Sequence, residues 1–316
     1  MIEKYYDGAI EQVAAGLGTV EKNHLLVRYS GQFSVENLND TKQLEKNEDI
    51  FVQVHEFETG EITCAYEPYL TMICDGFRRY MTGTFEEFME TCDVYYLHRP
   101  VLLGYFNQDN TGREEIILLD EVAYEQERML AALERMLCAI ADRHPVLFVL
   151  NRFQLASKST MQLTARFLKC ENCNIGLVLG VSDVQAMPEF LVPDWEMLYE
   201  TLDDGSKIYH IGNSGRKKEE TIDDEKYVDY GSEKVYRKLQ NMVEFLDFDQ
   251  AAYYLETIER KIKFDNLLVD DAARFRMWLL FVKVSILRQD IPKALEICRG
   301  SWEKNPSCRK GRGVCI

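Results

Sequence analysis

Two short runs of consecutive apolar residues, Val146–Leu150 and Ile175–Val181, limit what this chain can fold into more than any other feature. Neither run alternates, so neither suits a strand with one face in water. Strands so short and so apolar belong in the middle of a parallel sheet that is covered on both faces. The first run follows Ala123–His144, where Leu130, Leu133, Leu137, Ile140 and Ala141 recur at helical spacing up to Pro145. Between the runs, Ser157–Lys169 reads as a helix opened by Ser and Thr residues fit for capping. Strand, helix, strand in that order is a βαβ unit, so the expected class is α/β with a parallel sheet.

The flanks extend the pattern. The first 22 residues form an amphipathic helical pattern, and His24–Tyr29 reads as a strand. Gln32–Asp49 is polar and compatible with a helix; Ile50–His55 is strand-like by its β-branched and aromatic content. Tyr66–Tyr80 returns to helical spacing, with Pro68 tolerable in the first turn. After Gly205 the texture changes. Residues 213–231 are largely polar and charged and read as a linker, and 232–306 is helix-compatible throughout. Four helices fit there, with breaks near Leu246–Asp249, Phe264–Val269 and Arg288–Ile291. The expected organisation is therefore an α/β domain over 1–212, a linker over 213–231, an all-α helical-repeat domain over 232–306 and a basic tail over 307–316.

Composition narrows the function classes. With 316 residues, about two domains are expected. Acidic residues number 53 against 37 basic, a formal charge of -16, which argues against binding nucleic-acid phosphates or an anionic membrane. The nine cysteines are scattered through apolar segments, and the chain opens without the basic start and apolar run of an export signal. No apolar run approaches the roughly 20 residues that span a bilayer. The expectation is a reduced, cytoplasmic protein.

Several segments, taken in order, resemble the P-loop ATPases of the signal-transduction (STAND) branch of the AAA+ class. The segments are His24–Gly31, Ile50–Phe77 with Tyr66-Glu67-Pro68-Tyr69, His144–Ser157 and Ile175–Asp183. The resemblance covers residues 1–212 and implies a P-loop-NTPase-like domain. It also implies where the chemistry would stand. The phosphate-loop position falls on Arg28, Ser30, Gly31, Gln32, Phe33 and Ser34, the Walker B position on Asn151 and Arg152, and a sensor-like position on Asp183. The family grips terminal phosphates with a loop Lys and anchors magnesium with a strand-end Asp. Here the loop has one Gly and no Lys, and the strand ends in Asn151-Arg152. Asn lacks the charge that Mg²⁺ favours, and Arg152 sets a cation in the metal's place. These positions are therefore read as vestigial, with no catalytic residue, no metal site and no cofactor expected; ATP bound through backbone amides and Arg28 is the alternative.

Downstream, Ser232–Phe264 and Ala272–Pro306 resemble tetratricopeptide-type repeats. Their inter-helix turns read as Asp247-Phe248-Asp249 and Arg288-Gln289-Asp290, with Ala251-Ala252 and Ala294, Leu295, Ile297 and Cys298 as packing residues. Such repeats follow the ATPase region in large bacterial signalling regulators, including some that end in diguanylate cyclase domains. The basic ending, Ser307–Ile316, is equally compatible with a truncated product and with a tail.

The remaining polar features read as structural. Cys170-Glu171-Asn172-Cys173 is a CxxC without a second pair for zinc. The five histidines, at 24, 55, 98, 144 and 210, show no i, i+4 pair. Asp120-Glu121, Asp203-Asp204 and Asp223-Asp224-Glu225 read as solvated surface, and Tyr253, Tyr254 and Trp278 as packing residues. The function expected is a non-catalytic regulatory or scaffold module that binds a protein partner through its repeats, with self-association left open. The alternative is a nucleotide-binding switch forming the sensory front of a longer signalling protein.

Overall fold

Parallel pairing needs buried strands, and β3 (Val146–Asn151) and β4 (Ile175–Ser182) are buried along their whole length. The computed structural model describes residues 2–19, 24–29, 49–58, 60–109, 121–170, 174–182, 187–203, 207–211, 230–264 and 269–304. β1 (His24–Tyr29), β2 (Phe51–Glu56) and β5 (Lys207–Ile211) complete a five-stranded sheet of order β2-β3-β4-β1-β5, every pair parallel. Registers such as Leu26↔Leu179 and Phe148↔Leu177 bring the apolar runs side by side. The fold is α/β, as the two runs required.

One face of the sheet is covered by α1 (Ile2–Gly16), whose Tyr6, Ala9, Ile10 and Val13 pack on Leu25, Val27, Tyr29, Leu147, Val149 and Val178. Two glycines of β4 let the helix come this close. A Cβ on Gly176 would sit 2.5 Å from Val13, and one on Gly180 would collide with the Tyr6 hydroxyl. Against the other face lies α2 (Tyr69–Tyr80), whose Tyr69 ring meets Phe148 of β3 at 4.7 Å. The same ring meets Phe167 of α6 (Lys158–Lys169) at 5.2 Å, and its hydroxyl is 2.6 Å from that of Thr164. Phe77 at the end of α2 then gathers Phe85 and Phe88 of α3 (Phe85–Thr91) and Phe106 of α4 (Arg99–Asn107).

α3, α4, α7 (Val192–Asp203) and the edge strand β5 were not legible in the sequence. The long helix before β3 is α5 (Val122–Ala141), which stops three residues short of His144. The helix after Tyr66 begins at Tyr69, because Tyr66 itself adopts a left-handed φ of 56°. Among the described residues no helix is long and apolar enough to cross a membrane.

By internal contacts the chain divides into Met1–Gly112 with Glu127–Lys226, and Arg113–Gln126 with Tyr227–Ile316. The second unit holds α8 (Glu233–Glu244), α9 (Phe248–Phe264), α10 (Asp271–Leu287) and α11 (Ile291–Lys304), four helices as expected, with the first break displaced toward the N-terminus. The two inter-helix turns are the same structure. Leu246 and Gln289 both take left-handed φ, 66° and 61°. Asp247 N donates to Met242 O as Asp290 N donates to Ser285 O, each at 2.8 Å. Asp247 and Asp290 then cap the helix that follows, accepting from Gln250 N and Lys293 N. The first turn therefore falls at Phe245-Leu246-Asp247, two residues before the position expected, and Phe248 and Asp249 already belong to α9. Tyr253, Leu295 and Cys298, expected to pack, are exposed, while Ala294 and Ile297 are buried.

Gly180→Ala should cost about 1–3 kcal/mol, because the new methyl group has no room between α1 and β4. Urea denaturation measures it; an unchanged midpoint would show that α1 does not lie this close to the sheet.

Candidate functional site

All strands being parallel, their carboxyl ends share one edge of the sheet. The chain leaves β1 toward one side, for β2, and then steps back through β3 and β4 to β5. That reversal makes the carboxyl end of β1, beside β4, the place where an open α/β sheet takes ligands. The residues that close the strands are Tyr29, Glu56, Asn151, Ser182 and Ile211, of which Glu56 alone is a carboxylate.

Tyr29 and Asn151 stand on the α1 face, on strands that are not neighbours. Between them β4 presents Gly180, level with Val27, and the Tyr29 hydroxyl reaches across to donate to Asn151 Oδ1 at 2.7 Å. Both residues are fully buried. A Cβ on Gly180 would lie 2.5 Å from Asn151 Oδ1, so the glycine is what allows the bond. Burial pushes the Tyr29 phenol up to about 12, against the lowering influence of Arg152 and of the bond to Asn151. Burial also raises Tyr6, whose ring lies on the same cluster. The phenols are neutral at ordinary pH.

Arg152 follows Asn151 in a left-handed conformation, φ 52° and ψ 42°. Its Nη2 lies 3.2 Å from Oε1 of Glu56, with both side chains mostly covered. A single helical turn, Phe153–Leu155, then aims Gln154 at the end of β4. Its amide donates to Ser182 O at 3.2 Å and accepts from Ser182 N at 3.3 Å. Ser157 caps α6 by accepting from Thr160 N. The ends of β1, β2, β3 and β4 are thus tied by a phenol–amide bond, an ion pair or an amide clasp.

Of the residues singled out in the sequence, Asn151 and Arg152 thus fall at this edge, one residue apart. Arg28 lies on β1, on the face opposite Tyr29 by strand alternation. Ser30, Gly31, Gln32, Phe33, Ser34 and Asp183 lie outside the described residues. Sequence reading missed Tyr29, Glu56 and Gln154. The signal for Tyr29 was present as an aromatic hydroxyl closing a strand that contains the apolar run Leu25–Val27, but its partner lies 122 residues away. Among the described residues no group of three or more His, Cys, Asp or Glu side chains could hold a metal ion. His24 and His98 are buried, and His144 stacks on Tyr80 at 4.1 Å. Cys170 ends α6 and meets Cys138 of α5, Sγ to Sγ 3.6 Å, a pairing invisible in the sequence; Cys173 lies outside the described residues.

A comparison with protein-family models and with curated proteins finds no match.

Tyr29→Phe removes the donor to a buried amide oxygen and should cost about 1–3 kcal/mol. In an Asn151→Ala background the same change should cost much less, and urea denaturation of the single and double variants measures the coupling. The Tyr29 phenol holds its proton more tightly folded than unfolded. Its contribution is therefore complete below about 10 and should be lost as pH rises toward about 12. Tyr29→Phe should flatten that alkaline decline.

Proposed function

We propose that the chain is a non-catalytic regulatory or scaffold module, in which an α/β platform of degenerate STAND-type P-loop ancestry accompanies tetratricopeptide-like repeats that bind protein. One observation carries the reading. At the strand end where the family holds magnesium through a carboxylate, this chain has a buried amide, Asn151, bonded to Tyr29. The next residue is a guanidinium paired with the Glu56 carboxylate. A divalent cation favours charged oxygen ligands. An amide oxygen already accepting a phenol proton, beside an arginine that neutralises the nearest strand-end carboxylate, is poorly suited to it.

The ties described at this edge serve a platform that holds its shape. A phosphate-binding edge would instead keep donors and carboxylates open to a ligand. The order of the strands and the switch at β1 support the ancestry, and the matched turns in the second unit support the repeat reading.

Thermal denaturation with ATP, ADP and GTP, with and without Mg²⁺, tests the proposal. The expected result is the same midpoint in every condition and no phosphate release. A rise of several degrees with ATP would favour the nucleotide switch, and measurable phosphate release would contradict the proposal outright.

A further inference from the structure

The matched turns put α8–α9 and α10–α11 in register, so positions 43 residues apart are equivalent, as Glu233 and Arg276 are. Burial does not follow the equivalence. Val243, Phe248, Ala252 and Leu255 of the first pair are buried, at 5%, 2%, 2% and 2% exposure. Their equivalents Ile286, Ile291 and Leu295 are 38%, 46% and 51% exposed, and Cys298 is exposed as well. The second pair keeps the apolar character of the covered positions without the cover.

α10 shows the same thing by itself. Ala273, Met277, Leu280, Phe281 and Val284 are buried on one side, while Phe275 and Leu279 on another are 43% and 55% exposed. A helix apolar all round is a helix with neighbours on both sides. In the first pair the corresponding cover is helical, since α10 lies against both α8 and α9.

Charge specifies the neighbour further. Across the contact between the pairs, the first supplies Glu233, Asp249 and Glu259, and the second answers with Arg276, Arg288 and Lys293. On the uncovered face the sign reverses. Lys283 lies four residues after Leu279, and Arg299 four after Leu295, both exposed on the apolar stripes. Counting back from the turn, Lys283 falls level with Leu295 and Arg299 with Leu279. A second copy of the chain docked about a two-fold axis would set this basic face against itself.

We propose that the exposed face of α10 and α11 docks an amphipathic helix of another protein, one whose apolar stripe is flanked by Asp and Glu. Leu279, Ile286, Ile291 and Leu295 would take the stripe, and Lys283 and Arg299 the carboxylates. The inference rests on the packing of these four helices and is independent of whether the α/β unit binds nucleotide, so either can fail alone.

The test uses the full chain and a fluorescein-labelled peptide about five helical turns long, with Leu at helical spacing and Glu flanking it. A matched peptide carries Lys in place of Glu. The Glu peptide should bind and the Lys peptide should not. Leu279→Glu and Leu295→Glu should each weaken binding about tenfold or more. Lys283→Glu with Arg299→Glu, changes at exposed positions, should invert the preference toward the Lys peptide. Absence of binding, equal binding of both peptides, or indifference to the charge reversal overturns the proposal. So does a dimer in sedimentation that Leu295→Glu dissociates, which would identify a second copy as the occupant. Co-sedimentation with phosphatidylserine vesicles that Leu279→Glu abolishes would make the face a membrane contact and overturn it equally.

Discussion

The hydrogen bond from Tyr29 to Asn151 crosses an intervening strand, and much of the sheet's carboxyl edge is arranged to permit it. Gly180 leaves the space beneath it, α1 closes over it with Tyr6, and Arg152, which acts on the same phenol, pairs with Glu56. A buried phenol and a buried amide each cost free energy unless matched, so either alone would be a defect, and together they tie β1 to β3. The same arrangement uses the end of β3 for structure. That is the physical content of calling the unit a platform.

Much of this frame was legible in the sequence because buried strands have a plain signature. Val146–Leu150 and Ile175–Val181 leave few alternatives to a covered parallel sheet, and the helices of 232–304 follow from apolar spacing and from breaks at Asp247 and Asp290. Short elements escaped. α3 and α4 are held by a cluster of Phe77, Phe85, Phe88 and Phe106 rather than by their own periodicity, and β5 is a brief edge strand. The first inter-helix turn was displaced because Asp247-Phe248-Asp249 resembles turn composition, whereas the left-handed residue is Leu246, which composition does not favour.

The site was half legible for a different reason. Asn151 and Arg152 could be singled out because they stand where a carboxylate was expected. What they do instead depends on Tyr29, Glu56 and Gln154, partners brought close by strand order. The uncovered face of α10 and α11 was hidden likewise, since an apolar stripe reads the same whether a neighbour covers it or not.

The most direct test of the platform account is the hydroxyl proton of Tyr29 itself, observed by NMR in water and assigned by its loss in Tyr29→Phe. A fully buried phenol donating to Asn151 should give a slowly exchanging resonance that stays in place throughout a titration with Mg²⁺ and ATP. A resonance lost to exchange, or one that moves as Mg²⁺ and ATP are added, would contradict it.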